Sequence, residues 1–441
     1  MTKCKNQMNT GLYLNVLVLC LLVMSGCATS NIWRMSVDKN ANEANKDSYD
    51  AVVVTAHVAF VSFATNLAPG ATNGLRQILV RETTTNVVQM VSKNSNGDQG
   101  NAYSHLPSIS HDGQYVAFQS KASNLVSGDM NAQDDIFVHN RNTGKTELVS
   151  VDSNGKQSIG ASTWPSISAD GRYVAFESSN PLVSGDTNNH GDVYVRDRQM
   201  GKTERVSVDS SGKQANNDSG DPSISSDGRY IAFYSKATNL IPNDTNGSWD
   251  VFVYDRQSGK TELVSVNSNG GQGNGWSLFS SISGNGRYVA FISSATNLVA
   301  GDTNGKVDVF VHDRQTGKTE RVSVNSNGGQ TNGDSGDLNS WRCVSISEDG
   351  NFIVFESEAS NLVGGDTNNR EDVFLHDRAT KKTVRLSVNN DGVQGNNHSG
   401  RPSITPDGRY VVFQSKADNL LTGDTNSATD VFMTPNPLAK W

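Results

Sequence analysis

A phrase of about fifty residues recurs along almost the whole chain. Its clearest copy runs PSISSDGRYIAFYSKATNLIPNDTNGSWDVFVYDRQSGKTELVSVNSNG from Pro222 to Gly270. The phenylalanine of this copy returns at steps of 58, 58, 57, 58, 64 and 58 residues, at Phe60, Phe118, Phe176, Phe233, Phe291, Phe355 and Phe413. Self-similarity at a fixed period restricts a chain to a repeat architecture, whatever its local preferences.

Each copy contains four segments in which apolar and polar residues alternate. In the clearest copy these are PSIS, RYIAFYS, DVFVYD and TELVSV, separated by turns rich in Gly, Asn, Asp and Ser. Alternation with period two between such turns is typical of short β-strands. Four-stranded units repeated four to eight times form β-propellers. The sequence therefore predicts an all-β, seven-bladed β-propeller of four-stranded blades.

The two ends of the repeat array complement each other. Arg34 aligns with Arg205, and the 17 residues from each of these positions share nine identities. The last copy stops after its third strand, Asp430–Met433. We therefore expect the N-terminal strand, Trp33–Val37, to complete the last blade and so remove two exposed sheet edges. The propeller is predicted to span residues 32–434, with a C-terminal tail at 435–441.

The N-terminus predicts export and lipidation. Residues 1–26 combine basic Lys3 and Lys5 with a 13-residue apolar run, which suits a signal peptide. They end at Ser25-Gly26-Cys27, which resembles a bacterial lipobox, so we expect a lipidated Cys27 and a short anchor segment at 27–31. An ordinary secretory signal is the alternative. Ala28 after the cysteine favours the outer membrane, facing the periplasm or the surface.

Charge and cysteine content limit the partners. The formal net charge is −8 and there is no basic patch, so no nucleic-acid partner is expected. After signal removal only Cys343 remains in the fold, so no intrachain disulfide is expected. We expect a monomer that contacts the membrane through its lipid anchor alone.

The phrase P-S-I-S-x-D-G-R-Y-V-A-F, followed by D-V-F-V-x-D-R, resembles the WD-like repeats of TolB-like propellers. The resemblance covers about residues 32–434. It implies the propeller fold but not the activity, because such propellers serve both as binding platforms and as enzyme scaffolds. TolB itself has six blades and a separate N-terminal domain, so its own role is not carried over.

An Asp-x-Asn-x-x-x-Asp motif lies between the second and third strands of six copies. Oxygen ligands at alternate loop positions suit a hard cation, and the motif resembles a shortened calcium loop of FG-GAP propellers. The alternative is a turn braced by side-chain hydrogen bonds to the backbone. The candidate calcium ligands are Asp129, Asn131, Asp135, Asp186, Asn188, Asp192, Asp244, Asn246, Asp250, Asp302, Asn304, Asp308, Asp366, Asn368, Asp372, Asp424, Asn426 and Asp430.

A glutamine recurs in the loop after the fourth strand and is interpreted as scaffold. It follows a Ser-Asn-Gly-like turn and is expected to bond to neighbouring backbone. Its copies are Gln99, Gln157, Gln214, Gln272, Gln330 and Gln394.

Positions where the repeat is broken are better candidates for ligand binding. The loops entering the first strand carry Trp164, Trp276 and Phe279, and a 12-residue segment beginning at Gly333 adds Trp341 and Arg342. Aromatic and guanidinium groups at a polar mouth suit a sugar or a peptide. The alternative is that each tryptophan packs over its own blade.

An enzyme is less favoured by the motifs. His139, His312 and His376 share one repeat position and are expected at the surface, at strand ends. There is no G-x-S-x-G nucleophile elbow. The sequence therefore favours a non-catalytic binding platform of the cell envelope, with a protein or glycan ligand. A polysaccharide-active enzyme, a lyase or hydrolase, and a calcium-stiffened structural protein are the alternatives.

Overall fold

The part of the chain that the structure describes forms 28 β-strands grouped into seven four-stranded antiparallel sheets. This computed structural model describes residues 31–336 and 342–440. The first three blades in chain order, after β1 (Trp33–Arg34), contain β2 (Ser48–Val54), β3 (His57–Ser62), β4 (Gln77–Glu82) and β5 (Val88–Met90); β6 (Ser104–Ile109), β7 (Tyr115–Ser120), β8 (Asp135–Asn140) and β9 (Thr146–Leu148); and β10 (Ser162–Ile167), β11 (Tyr173–Ser178), β12 (Asp192–Asp197) and β13 (Lys202–Arg205).

The remaining four blades follow the same order. They contain β14 (Ser219–Ile224), β15 (Tyr230–Ser235), β16 (Asp250–Asp255) and β17 (Lys260–Leu263); β18 (Ser277–Ile282), β19 (Tyr288–Ser293), β20 (Asp308–Asp313) and β21 (Lys318–Arg321); β22 (Val344–Ile346), β23 (Phe352–Ser357), β24 (Asp372–Asp377) and β25 (Lys382–Arg385); and β26 (Ser399–Ile404), β27 (Tyr410–Ser415) and β28 (Asp430–Pro435). The predicted seven-bladed propeller is confirmed.

The predicted closure of the ring is also confirmed. The seventh sheet has the order β1-β28-β27-β26, with Trp33 opposite Met433 and Arg34 opposite Phe432. The backbone N–H of Met35 then donates to Val431 O at 2.7 Å. The N-terminal strand thus supplies the fourth strand that the last copy of the repeat lacks.

The core is a set of apolar layers between neighbouring blades. In six blades the phenylalanine of the second strand lies directly opposite an aromatic residue of the third, as Phe233 does opposite Phe252; in the first blade Phe60 lies opposite Leu79. The ring centroids of Phe233 and Phe252 are 6.0 Å apart and both side chains are fully buried. Each such side chain contributes roughly 1.5–3 kcal/mol of burial, and the stacked pair contributes about 1 kcal/mol more.

The Asp-Arg pair that ends the third strand joins one blade to the previous one. Arg256 lies over the ring of Tyr173 at 4.2 Å and donates through Nε to Glu204 at 2.6 Å, both in the preceding blade. Its Nη1 donates to Gly228 O at 2.6 Å in its own blade. Arginines 198, 314 and 378 make the equivalent contacts.

The first strand of every blade lines a central channel. Serines of the Pro-Ser-Ile phrase accept hydrogen bonds from backbone N–H groups of the next blade, such as Ile282 N–H to Ser223 Oγ at 3.1 Å. Equivalent bonds link Ser108 to Ile167, Ser166 to Ile224, Ser281 to Ile346 and Ser345 to Ile404. These bonds satisfy edge N–H groups that would otherwise be unpaired at the channel wall.

No helix forms among residues 31–336 and 342–440, so no helical segment there is long and apolar enough to cross a membrane.

Candidate binding site at the channel mouth

A cavity of about 180 Å³ opens in the channel, around the bulges of the first strands. Its wall includes Asp50, Trp164, Asp221, Phe279, Arg342 and Arg401, and it collects residues from all seven blades. Three of the predicted ligand-binding residues, Trp164, Phe279 and Arg342, are thus brought together.

Trp276, which was also predicted to bind a ligand, lies away from the cavity. Trp276 is half-buried on the loop before β18 and packs against the apolar layer between the fifth and sixth blades. Its carbonyl accepts hydrogen bonds from Ser293 Oγ at 2.9 Å and Ser294 N–H at 3.0 Å. It does not line the cavity. Trp341 and Cys27 lie outside the described residues.

Six of the 18 residues that line the cavity, Arg342 among them, have backbone in the left-handed region. In six blades a bulge in the first strand places one non-glycine residue there, with φ between 47° and 59°: Asp50, Leu106, Trp164, Asp221, Phe279 and Arg401. Such a conformation costs roughly 1–2 kcal/mol for a residue other than glycine. Since glycine would adopt it at no steric cost, these side chains are retained for what they contact. We call these six residues, together with Arg342, the mouth ring.

The sixth blade contributes to the mouth ring through its insertion. Ser335 pairs with Ser357, and Gly336 N–H donates to Glu356 O at 2.9 Å, where other blades have an unbroken first strand. The chain rejoins the sheet at Val344. Just before this point Arg342, with φ of 71°, extends across the channel and donates from Nη1 to Pro107 O of the second blade at 2.7 Å.

A second set of variable residues supports the mouth ring from behind. It occupies the position after the second-strand phenylalanine and comprises Val61, Gln119, Glu177, Tyr234, Ile292, Glu356 and Gln414. Glu177, Glu356 and Gln414 accept backbone N–H bonds from the mouth ring of the next blade; Arg401 N–H donates to Glu356 Oε2 at 2.8 Å, and Asp50 N–H to Gln414 Oε1 at 3.2 Å. Tyr234 instead packs edge-on against Phe279, with centroids 6.2 Å apart.

Sequence reasoning missed this second set, although a signal was present. The position varies between Val, Gln, Glu, Tyr and Ile inside a phrase that is otherwise nearly constant. A comparison of the repeats position by position would have identified it.

The charges of the mouth are compensated on one side only. Arg401 pairs with Asp50 of the neighbouring blade. On the other side Glu177 accepts the backbone N–H of Asp221, and burial together with the charge of Asp221 raises the pKa of Glu177 to about 7. Burial also raises the pKa of Asp221 to about 7, against the opposing attraction of Arg342. Both carboxyl groups therefore titrate near neutral pH.

The Asp-x-Asn-x-x-x-Asp loops are filled by nitrogen donors of the protein itself. In the second and fourth blades a glutamine Nε2 joins the two carboxylates, as Gln272 does at 2.7 Å from Asp244 and 3.0 Å from Asp250. In the third, fifth and seventh blades a guanidinium lies between them, and in the sixth both groups are present.

The last aspartate of each loop is fully buried and hydrogen-bonded to a serine two residues after the end of the fourth strand. Ser265 Oγ, for example, donates to Asp250 Oδ1 at 2.6 Å. Burial raises the pKa of Asp135, Asp192, Asp250 and Asp430 to about 6 in spite of these bonds. We call Asp135, Asp192, Asp250, Asp308, Asp372 and Asp430 the framework aspartates. The glutamines do bond to backbone as expected, since Thr245 N–H donates to Gln272 Oε1 at 3.2 Å; their contact with the carboxylates was not anticipated.

One group of three carboxylates among the described residues is close enough to hold a metal ion. It consists of Glu43, Asp424 and Asp430, in the blade that closes the ring. Arg34 pairs with all three carboxylates, at 3.0 Å from Asp424 and 3.5 Å from Asp430. The guanidinium thus supplies the positive charge of this cluster.

The histidines at the shared repeat position are buried, and the prediction of a surface location was wrong. His139, His312 and His376 are between 0% and 5% exposed. Each Nδ1 lies 2.8–2.9 Å from a threonine hydroxyl of the fourth strand. Burial lowers the pKa of each to about 4, so they are neutral core residues at physiological pH. Their side chains face the preceding blade, where the threonine hydroxyls donate to the carbonyls of Lys93, Val266 and Val324.

Fold and site together define a seven-bladed β-propeller with a variable channel mouth. No family model and no curated protein matches the sequence. Among solved structures, the β-propeller domain of the trilobed protease from Pyrococcus furiosus matches with a TM-score of 0.54 at 11% identity, over 88% of this chain and 96% of that one.

Two further solved structures are similar to this chain. Oligogalacturonate lyase from Vibrio parahaemolyticus has a TM-score of 0.53 at 14% identity, over 93% of this chain and 98% of that one. TolB from Acinetobacter baumannii has a TM-score of 0.43 at 16% identity, over 75% of this chain, which spans 63% of the TolB chain. At such identities the likeness to the protease domain and to the lyase establishes the propeller fold alone.

Proposed function

We propose that this protein is a non-catalytic binding platform of the bacterial cell envelope, whose ligand is held at the channel mouth. The observation that supports this most is the mouth ring. Strained backbone, side chains that differ from blade to blade and charged groups meet there around one cavity. Strain of this kind is retained at functional sites, and aromatic and arginine side chains dominate the binding energy of interfaces.

Binding at the mouth is tested with an array of peptides and bacterial envelope glycans. Trp164→Ala combined with Phe279→Ala should weaken the strongest array signals at least tenfold while the protein remains folded. Trp276→Ala is the matched control, because Trp276 lies outside the cavity. If Trp276→Ala weakens binding and the mouth variant does not, the ligand binds on the outer loops instead.

The proposed location rests on the N-terminal segment. Lipidation of Cys27 would tether the propeller to the envelope membrane. Cys27→Ser should then abolish incorporation of labelled lipid and release the protein from membrane fractions. Membrane association that persists in this variant contradicts the anchor.

A polysaccharide-active enzyme is the second candidate, favoured by one observation. Glu177 and Asp221 both have a pKa near 7, the range in which a carboxyl group serves as general acid or base. The test is product formation from polygalacturonate, with and without divalent cations. Activity that disappears in Glu177→Gln would favour the enzyme over the platform.

A further inference from the structure

A second cavity lies between the fifth and sixth blades, on the face of the propeller opposite to the mouth ring. The first strand of each blade starts at the mouth and ends at this face, where short turns join the strands. The cavity has a volume of about 310 Å³, at the lower end of the range of about 300–1,000 Å³ for pockets that enclose small molecules. We call it the interblade groove. Its wall consists of Tyr288, Asp313, Lys318 and Glu320 of the fifth blade and Asn351, Arg378, Ala379 and Lys381 of the sixth.

The sixth blade departs from the repeat at three of its four wall residues. The third, fourth and fifth blades hold an arginine, a glutamine and a glycine at the corresponding positions, and the sixth holds Asn351, Ala379 and Lys381. Two of these replacements shorten a side chain of the wall, and the third adds a positive charge. The interblade groove is therefore a place where several breaks in the repeat meet.

Lys381 is held in a backbone conformation that favours glycine. Its φ is 60°, and the glycines at the same turn position, Gly201, Gly259 and Gly317, have φ values of 64° to 70°. A residue with a Cβ atom is strained in this region, so the lysine is retained for what its side chain contacts. Its ammonium group pairs with Glu320 of the fifth blade at 2.7 Å, while the side chain remains 59% exposed.

Two cations of the wall share one carboxylate. Glu320 accepts hydrogen bonds from Arg378 Nε at 2.6 Å and from Lys381 Nζ at 2.7 Å. Arg378 is fixed further, because its guanidinium lies over the ring of Tyr288 at 4.3 Å and its Nη1 donates to Gly350 O at 2.6 Å. One carboxylate thus orients two cations and neutralises only one of them.

The remaining charges of the wall bring the excess to two positive charges. Asp313 is paired with Arg287 at 2.6 Å and does not offset the other cations. Lys318 is exposed and forms no ion pair within residues 31–336 and 342–440. Its charge adds to the one that Glu320 leaves uncompensated. Since the whole chain has a net charge of −8, the interblade groove is an electropositive site on an acidic protein.

This excess of charge matches a phosphate monoester. Such a group carries about two negative charges above its second pKa of about 6, and it offers three acceptor oxygens. Ammonium and guanidinium groups donate short, charge-assisted hydrogen bonds to phosphate oxygens. The volume of the groove, that of about ten water molecules at roughly 30 Å³ each, admits the phosphate together with part of its alcohol.

We propose that the interblade groove binds a phosphate monoester through Lys318, Arg378 and Lys381. The same group occurs on soluble phosphorylated sugars and on the headgroups of anionic lipids, and the experiment separates these two sources. The site lies on the other face from the channel mouth and does not depend on the function proposed for the mouth.

The test is a titration with inorganic phosphate at pH 8 and low salt, followed by phosphorus NMR, since salt screens exposed charges. Lys381→Gly should weaken phosphate binding at least tenfold. This variant restores the residue of three other blades and removes the backbone strain, so it should fold at least as well as the wild type. Unchanged affinity in Lys381→Gly would overturn the proposal.

A matched pair of variants separates a local site from a general attraction of anions. Lys318→Ala should weaken phosphate binding at least fivefold. Lys260→Ala removes the equivalent lysine from the groove between the fourth and fifth blades and should leave the affinity within twofold of wild type. Both variants lose one charge, so equal effects would contradict a site in the interblade groove.

Two comparisons define the ligand. Acetate, with a single negative charge, should bind at least fivefold more weakly than phosphate, and equal binding would refute the match of charge. Vesicles of phosphatidylcholine with and without phosphatidic acid are compared with soluble glucose phosphate. Sedimentation that requires phosphatidic acid and is lost in Lys381→Gly assigns the site to lipid headgroups. Binding of glucose phosphate without such sedimentation assigns it to soluble esters, and binding of neither would overturn the proposal.

Discussion

The framework aspartates and the mouth ring each take one residue from a blade, yet they behave in opposite ways. The framework aspartates are the same residue in six blades, fully buried, and bonded to a serine and a nitrogen donor. The mouth ring differs in almost every blade and lies on strained backbone. The framework aspartates satisfy their polar groups within the blade. The mouth ring leaves charge uncompensated at the cavity.

This contrast shows how a repeat protein separates stability from recognition. A contact that every blade needs must recur in every blade, because each unit packs on neighbours like itself. A binding site needs the reverse, since seven identical residues would present a ring with no preferred side. Changes in the framework should therefore alter stability without altering binding, and changes in the mouth should do the opposite.

The largest effect is expected from removal of the strand that closes the ring. Deleting residues 28–40 removes Arg34 and Ser36, which pair with the buried Asp424 and Asp430. Leaving a buried charge without its partner costs about 3–5 kcal/mol, before the lost sheet edge is counted. Urea unfolding should show a loss of at least this size. A truncated protein with wild-type stability would contradict closure by the N-terminal strand.

A single framework change should have a smaller but clear effect. Asp250→Ala leaves the buried Ser265 hydroxyl without its acceptor and removes one of two acceptors from Gln272 and from Asn246. We expect a loss of about 2–3 kcal/mol in the free energy of unfolding, with binding of the strongest array ligands unchanged. The double change Asp250→Ala with Ser265→Ala should cost less than the sum of its parts. Weakened binding in the single variant would show that framework and mouth are coupled.

Neutralising Glu177 and Asp221 should raise the stability of the protein instead of lowering it. The pKa of Glu177 and Asp221 is about 7 in the folded protein and near 4 in the unfolded chain, so their contribution to stability falls as the pH rises from about 4 to 7. Glu177→Gln with Asp221→Asn should therefore raise the melting temperature by a few degrees at pH 8 and change it little at pH 4. A lower melting temperature at pH 8 would mean that the carboxylates stabilise the fold, as the framework aspartates do.

Calcium should produce the smallest effect, and only in some blades. A glutamine amide can rotate away from the carboxylates more easily than a paired guanidinium, which favours the loop of Asp244 over that of Asp302. A weak site filled at ten times its dissociation constant adds about 1.4 kcal/mol. Millimolar calcium should raise the melting temperature, and Asp244→Asn should reduce the rise while Asp302→Asn should not. Absence of any shift would favour the hydrogen-bonded turn.

The sequence alone determined the architecture. Period-two alternation, turn residues and a regular step predict the blades, because these features depend on neighbours along the chain. The alignment of the segment at Arg34 with the segment at Arg205 predicts the closure of the ring, because it too depends only on the order of residues along the chain. Even Trp164, Phe279 and Arg342 were found as breaks in the repeat.

Only the tertiary structure determined which of the irregular positions of the repeat lie next to one another. Glu177 and Asp221 are 44 positions apart and belong to different blades, and Arg342 reaches a carbonyl 235 positions away across the channel. The burial of His139 and the guanidinium between paired aspartates were likewise invisible in the sequence. A ring brings the same position of every repeat to one axis, so side chains that are distant along the chain become neighbours. The contacts between these neighbours determine their ionisation, backbone strain and burial.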